Sequence, residues 1–263
     1  MKNYFEQEKQ LLPLKNFDCI FMNLSLSIEA VANTTQKPCY YLPPGTDAVN
    51  FCPYPLLPQR SVNVCSFGRR PLSVHKELLK LEEQEDFLYM YDTLQYLFVD
   101  NYESHRALYQ RVIKRSKYFI AYGAKFDSKS EVGAQEELNI RFFEGAAGGA
   151  VILGKPPKNV TFTQNFDWKD AVIDLSADAT NIREFIADLN AQTERLEEIR
   201  KNNVVTSLLR HDWVYRWEQI LDKVGLSHTP KMAQRHAYLR SLADMALQKS
   251  SKASALFVNS TNE

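Results

Sequence analysis

The middle of the chain alternates short apolar runs with longer stretches in which apolar positions recur every three or four residues. The short runs are typical of buried strands, and the longer stretches have the period of amphipathic helices. The predicted strands cover 61–68, 117–123, 150–154 and 171–175, and the predicted helices cover 69–85, 104–116, 134–149 and 180–210. Strands that alternate with helices favour a parallel sheet with helices on both of its faces. The sequence therefore predicts an α/β fold.

The two ends of the chain have a different pattern. Short apolar runs at 17–21 and 39–42 predict two strands with a small helix between them. Prolines then recur from Pro43 to Pro58, and because proline interrupts helices and central strands, we expect a loop or a connection between domains there. Amphipathic helices are predicted over 212–225 and 231–250, followed by a frayed terminus. The predicted units are 1–58, 59–210 and 211–263.

Composition and charge narrow the classes of function. Hydrophobic residues make up 44% of the chain, and 32 basic residues balance 32 acidic ones. This balance disfavours nucleic acid or an anionic membrane as the main partner. The first residues lack the apolar region of a signal peptide, and no apolar run has the roughly 20 residues that a transmembrane helix needs. We therefore expect a soluble cytoplasmic protein.

The four cysteines lie in the first quarter of the chain, without a C-x-x-C pair or a histidine at ligand spacing: Cys19, Cys39, Cys52 and Cys65. This pattern favours buried reduced thiols over a disulfide framework or a metal site, and we predict no metal ligands. His211 begins a helix that also contains Asp212 and two tryptophans, which is typical of a helix cap and a packing face. No nucleophile with a partnered base stands out.

In open α/β sheets, ligands bind beyond the carboxyl ends of the strands. The first loop of this kind runs from Gly68 to Lys76 and includes Arg69 and Arg70. Cations and backbone N–H groups at the start of a helix are what a phosphate group requires. The loop lacks the Walker pattern and the G-x-G-x-x-G pattern. The alternative is that both arginines are solvated surface charges.

A second loop leads into the predicted helix 134–149. The spacing of Glu137, Arg141 and Glu144 places them on one helical face. They form either an exposed ladder of ion pairs or a site in which Glu144 accepts hydrogen bonds from a vicinal diol such as a ribose. The small residues from Gly145 to Gly149 weaken the helix, which indicates that a neighbouring strand or a ligand approaches closely.

Three stretches resemble a known family: "QEELNIRFFEGAAGGAVILGKPP", "FDWKDAVIDL" and "IRKNNVVTSLLRHDWVYRWEQIL". They are similar to the carboxy-terminal half of glycosyltransferases with two Rossmann-like domains (the GT-B type), in the bacterial family-1 group that includes the CgeB-like proteins. The resemblance covers roughly residues 17–225. It implies a Rossmann-like donor domain and a nucleotide-diphospho-sugar as donor, with no further cofactor.

The resemblance also implies roles for individual residues. Relatives use Glu-x7-Glu, so Glu144 would bind the ribose hydroxyls and Glu136 would be the first acid, although Glu137 is an equally available candidate. The loop from Gly133 into the helix would face the donor sugar and the diphosphate. Arg69 and Lys76 would neutralise the leaving diphosphate. The remaining residues assigned to substrate binding are Gly68, Arg70, Arg141 and Gly145.

The segment before Gln59 is too short for a second Rossmann-like domain of about 150 residues. We therefore expect reduced acceptor recognition, a partner chain that completes the cleft, or a fragment of a longer protein. The predicted function is sugar transfer to an unknown acceptor, with retention at the anomeric carbon and without a metal. The alternative is a non-catalytic nucleotide-sugar-binding or assembly module whose tail helix docks another subunit through Met232, Leu239, Leu242, Met245 and Leu247.

Overall fold

The computed structural model describes residues 9–83, 86–92, 101–124, 126–127 and 136–260, with the side chains of 249–260 left out. Two parallel sheets are formed within these residues. The smaller sheet pairs β1 (Ile20–Met22) with β2 (Cys39–Tyr41). The larger sheet contains β3 (Val62–Ser66), β4 (Tyr89–Tyr91), β5 (Ser116–Tyr122), β6 (Val151–Lys155) and β7 (Ile173–Asp174).

Helices connect these strands. They are α1 (Ile28–Thr35), α2 (Ala48–Phe51), α3 (Leu72–Glu82), α4 (Tyr102–Lys114), α5 (Ile140–Ala147), α6 (Val160–Asn165), α7 (Ile182–Asn190), α8 (Thr193–Arg210), α9 (Trp213–Val224) and α10 (Pro230–Ser260). Short 3-10 turns lie at Leu12–Asn16 and Ser25–Ser27. The sequence prediction missed β4, α2 and α6, because three to six residues are too few to establish a period. It also expected a frayed terminus where α10 continues to Ser260.

Strand side chains alternate between the two faces of the larger sheet. On one face Phe119 and Ile152 pack with α4 and α5. On the other face Ile120 and Leu153 pack with α3, α7 and the first part of α8. The predicted α/β fold, Rossmann-like with helices on both faces, is therefore confirmed.

The strand order is β4-β3-β5-β6-β7, with all neighbours parallel. The chain leaves β3 in one direction to reach β4 and returns past β3 to form β5. The topology therefore reverses between β3 and β5, and the loops that follow these two strands diverge there. A crevice at such a switch point is the usual place for a ligand in this kind of sheet.

The proline-rich connection contacts the C-terminal helices. Thr46 exchanges two backbone hydrogen bonds, accepting from Trp213 N (3.1 Å) and donating to His211 O (2.9 Å). Apolar residues of α2, α8 and α10 form a shared core that includes Leu239 and Leu242. These two leucines therefore face inward, whereas Met245 is exposed. The division into the units 1–58, 59–210 and 211–263 stays a prediction.

All four cysteines are free thiols, with Cys52 and Cys65 buried and the other two partly buried. Burial raises the pKa of Cys52 to about 11, which keeps this thiol protonated at neutral pH. Across the described part of the chain, no helix combines the length and the apolar composition needed to span a membrane.

His211 is only 1% exposed and packs edge-on against Phe143. Its Nε2 lies 2.9 Å from the carbonyl oxygen of Asn165, and its Nδ1 lies 3.4 Å from Arg216 Nη2. Asp212 caps α9 by accepting from Val214 N (3.0 Å). The predicted cap and packing role is confirmed for His211 and Asp212, but it is wrong for the two tryptophans, Trp213 and Trp217, which are exposed. Burial, with the charges of Arg216 and Arg210, lowers the pKa of His211 to about 3.

This buried histidine predicts a pH dependence of stability. The folded state keeps His211 neutral, whereas the unfolded chain binds a proton below pH 6.5. The free energy of unfolding should therefore fall as the pH decreases from 6.5 towards 3, by up to about 1.4 kcal/mol per pH unit from this residue. His211→Gln should lack this part of the slope. Urea unfolding of both proteins between pH 4 and 6.5 provides the measurement, and equal slopes would contradict it.

Candidate functional site

The predicted helix 134–149 is shorter in the structure. Helix α5 begins at Ile140, and the side chain of Asn139 caps it by accepting from Arg141 N (3.2 Å). Asn139 has the β-region backbone of an N-cap residue, so the helix starts after it. Residues 136–139 therefore lie outside the helix. The expectation that Glu137 shares a helical face with Arg141 and Glu144 is therefore wrong.

The small residues of this segment are explained by packing. A methyl group at Gly145 would lie 2.7 Å from Phe119 Cδ1, and one at Gly148 would lie 2.3 Å from Ile113 Cγ2. Both distances are shorter than atoms tolerate, so α5 reaches β5 and α4 only because these side chains are absent. The sequence left open whether a neighbouring strand or a ligand approaches these small residues, and at Gly145 the strand β5 does so. The role of Gly145 in substrate binding stays a prediction.

Glu144 occupies the first turns of α5 and is 1% exposed. Its Oε1 accepts from Arg106 Nη1 at 2.6 Å. Its Oε2 accepts from Tyr109 Oη and from Arg141 Nη1, both at 2.8 Å. Arg106 and Tyr109 lie on α4, so one carboxylate joins the two helices that cover this face of the sheet. Charge-assisted hydrogen bonds of this kind are the strong ones in proteins.

The two arginines are only partly covered. The Arg106 side chain is 39% exposed and that of Arg141 is 29% exposed. The Arg106 guanidinium lies 4.9 Å above the Phe51 ring, and that of Arg141 lies 5.0 Å above the Tyr109 ring, so both are held by cation–π contacts as well. The cluster of Arg106, Tyr109, Arg141 and Glu144 is called the edge cluster below.

The charges in the edge cluster do not cancel. Burial lowers the pKa of Arg141, but the neighbouring Tyr109 and Glu144 outweigh it and raise that pKa above its ordinary value. Burial, with the nearby Glu144 charge, raises the pKa of Tyr109 well above 10, so its hydroxyl remains a donor. Two guanidinium groups therefore share one carboxylate, and the cluster carries one net positive charge.

The edge cluster lies beside the topological switch point. Gly68 follows β3 with φ +81°, and a methyl group placed there would lie 3.8 Å from both Nε and Nη2 of Arg141. A cavity of about 690 Å³ opens next to Arg106. Its lining residues are Asp47, Asn50, Tyr102, Glu103, His105, Arg106, Ala107 and Gln110. Its volume is within the range of ligand sites.

The basic loop after β3 is tied to neighbouring loops. Arg70 donates to the Asp92 carboxylate and to the Asp92 carbonyl oxygen (2.6 Å), while Gly68 N donates to Asp92 Oδ2 (2.9 Å). Arg70 therefore joins the ends of β3 and β4. Arg69 pairs with Asp127, which follows β5, at 2.7 Å across the switch point. Lys76 is exposed on α3, on the opposite face of the sheet from α4 and α5.

The two candidate first acids lie in the loop before α5. The exposed Glu136 accepts from Lys158 N at 2.9 Å, so it joins the loops after β5 and β6. Glu137 is buried and accepts from Ser25 N at 3.0 Å, which attaches the N-terminal segment to this edge. Burial raises the pKa of Glu137 against the opposing effect of Ser25. Gly133 lies outside the described residues.

Sequence reasoning missed Arg106 and Tyr109. They are three residues apart and therefore share one face of α4, which places polar groups where the helix turns towards α5. A polar pair on the inner face of an amphipathic helix was the available signal. This signal indicates a buried polar partner, but it does not identify Glu144 as that partner.

Comparison with known proteins adds one finding. Residues 95–222, just under half of the chain, match a family model described as glycosyl transferase-like. The matched segment contains α4, β5, α5 and β6, and with them the whole edge cluster. No curated protein matches the chain. The family match and the parallel α/β sheet together support a glycosyltransferase.

The edge cluster predicts a measurable coupling. Glu144→Gln removes the charge that Arg106 and Arg141 share, and because both arginines keep access to water, we expect a loss of about 2–3 kcal/mol of stability. Tyr109→Phe should cost about 1 kcal/mol. A double-mutant cycle by urea unfolding should give a coupling of at least about 0.5 kcal/mol. Glu184→Gln, on the exposed side of α7, should change stability by less than about 0.5 kcal/mol. If the effects of Glu144→Gln and Tyr109→Phe on stability are strictly additive, the contact between Tyr109 and Glu144 is contradicted.

Proposed function

We propose that the chain is a glycosyltransferase that binds a nucleotide-diphospho-sugar at the carboxyl edge of the larger sheet, between the loops after β3 and β5. The single observation that carries this proposal is the net positive charge of the edge cluster beside the switch point. Fixed guanidinium groups next to a helix N-terminus are well suited to a diphosphate. The family match to residues 95–222 supports sugar transfer as the reaction.

Arg106 and Arg141 are the proposed contacts of the diphosphate. Each donates to Glu144 through Nη1, and a guanidinium group carries five N–H donors in all. A nucleoside diphosphate that leaves carries away the electrons of the bond between the anomeric carbon and the phosphate oxygen. Cations held in place before the reaction stabilise that developing charge. They would supply here the charge that a divalent cation supplies in metal-dependent enzymes.

For Glu144 we propose a positioning role. Its two oxygens already accept three hydrogen bonds from protein groups, and its carboxylate is almost fully buried. A direct contact with ribose hydroxyls would require the sugar to reach a carboxylate that is 1% exposed. The carboxylate instead orients both guanidinium groups, and a ribose bound by Glu144 itself is the competing assignment.

Arg69 and Lys76 are proposed to act on the leaving diphosphate, as the resemblance implies. Arg69 lies at the switch point, where its pairing with Asp127 already bridges the two loops. Lys76 lies in the second turn of α3, and its side chain would reach the diphosphate by extending past the N-terminus of that helix. Retention at the anomeric carbon follows the relatives with Glu-x7-Glu, for which Glu136 is the proposed first acid.

Binding of nucleotide sugars tests the assignment. A thermal-shift screen with UDP-, GDP- and ADP-sugars identifies the donor, and calorimetry then measures its dissociation constant. Arg106→Gln and Arg141→Gln should each raise that constant at least tenfold, about 1.4 kcal/mol, because each removes a charged contact. Lys80→Gln, an exposed change on α3, is the matched control and should leave it unchanged.

Comparing a nucleoside with its diphosphate separates the two roles of Glu144. If Glu144 positions the arginines, Glu144→Gln weakens binding of the diphosphate and leaves binding of the nucleoside unchanged. If Glu144 binds ribose, both weaken together. Release of nucleotide from the bound donor measures turnover. Binding without turnover, alone and with a partner chain, would favour the non-catalytic module, and absence of any donor binding would refute the proposal.

A further inference from the structure

Two tryptophans of α9 are exposed although they are among the largest apolar side chains. Trp213 is 41% exposed and Trp217, one turn later on the same face, is 58% exposed. The Trp213 indole packs against Gly45, where a methyl group would lie 2.8 Å from its Cε3. The packing orients this ring and leaves part of it open to solvent. Exposed aromatic groups of this kind commonly mark a binding surface.

The two indoles line a groove between α9 and α10 with a volume of about 440 Å³. Its lining residues are Asp212, Trp213, Val214, Trp217, Leu221, Thr229, Lys231, Met232 and Arg235. The walls are mainly apolar, and polar groups lie among them. A concave apolar site with a few polar groups is the usual form of a small-molecule site.

The polar groups of this groove differ in availability. Asp212 is buried and its two oxygens accept from Arg235 Nε (3.1 Å) and Nη2 (2.7 Å). Because Arg235 also pairs with Asp47, these three groups together carry one net negative charge. Lys231 is exposed on the first turn of α10. The Thr229 hydroxyl precedes that turn and accepts weakly from Met232 N (3.4 Å). The groove therefore offers two indoles, a hydroxyl and an ammonium group.

The groove shares a wall with the cavity beside the edge cluster. Arg235 lines the groove, Asp47 lines the larger cavity, and Arg235 Nη2 lies 2.7 Å from Asp47 Oδ1. Asp47 is fixed by Asn50, whose Nδ2 donates to it at 2.6 Å. The groove and the larger cavity therefore meet at the contact between Arg235 and Asp47.

We propose that the groove between α9 and α10 is a saccharide subsite, in which a pyranose ring of the acceptor stacks on Trp213 and Trp217. This inference rests on the proposed function, since a sugar transferase needs an acceptor. The C–H face of a pyranose ring is apolar and its rim is hydroxylated, which matches indole faces flanked by Thr229 and Lys231. The shared wall would direct the remainder of the acceptor towards the donor.

Direct binding of saccharides to the whole chain tests the subsite. The probes are maltohexaose, chitohexaose and an oligogalacturonate at millimolar concentration, followed by saturation-transfer NMR and calorimetry. At least one should bind, and Trp217→Ala should weaken it at least tenfold. Trp217→Phe, which retains an aromatic face, should weaken it threefold or less. Lys231→Gln should weaken only the acidic oligosaccharide.

The outcomes separate this inference from the proposed function. Nucleotide-sugar affinity, measured on the same variants, should remain unchanged, because the tryptophans do not touch the edge cluster. Saccharide binding without donor binding would refute the proposed glycosyltransferase function and support the saccharide subsite. Donor binding without saccharide binding, or equal affinity in Trp217→Ala, would overturn the subsite. Sedimentation showing an oligomer that Trp217→Ala dissociates would also overturn it, since a second copy would then cover the groove.

Discussion

The carboxylate of Glu144 is the interaction on which the carboxyl edge of the sheet depends. It accepts from Arg106 and Tyr109 of α4 and from Arg141 of α5, so it joins two helices that would otherwise bring like charges together. Two guanidinium groups that contact the same carboxylate would repel each other without the anion between them. One buried carboxylate stabilises the pair without neutralising it, so the edge cluster keeps one net positive charge.

Close packing makes that arrangement possible. Gly145 lies against Phe119 and Gly148 against Ile113, so α5 approaches β5 and α4 more closely than any other residue would allow. The approach carries Glu144 below the protein surface. The run of small residues after Glu144 therefore contributes to the site indirectly, because it sets the depth of the acid.

The sequence predicted most of this fold because apolar periodicity is a local signal. The strands β3, β5 and β6 lie within a residue or two of their predicted bounds, and the helices on both faces follow from alternation. The start of α5 was missed because Asn139 caps the helix, and apolar periodicity does not identify a capping residue. Partners distant in sequence were not predictable. Glu144 and Arg106 are 38 residues apart, and their pairing depends on how α4 and α5 pack.

The proline-rich connection contacts both the edge cluster and the C-terminal helix α10. Its short helix α2 places Phe51 under the Arg106 guanidinium at 4.9 Å. The N-cap of α2 is Asp47, which binds Arg235 of α10. Asp47 and Phe51 of this connection thus contact Arg235 of α10 and Arg106 of α4, respectively. Prolines suit this task because they restrict the connection before folding and so lower the entropy lost when it is ordered. The proline-rich connection, which has no apolar period, thus links Arg106 of the proposed donor site to the C-terminal helices.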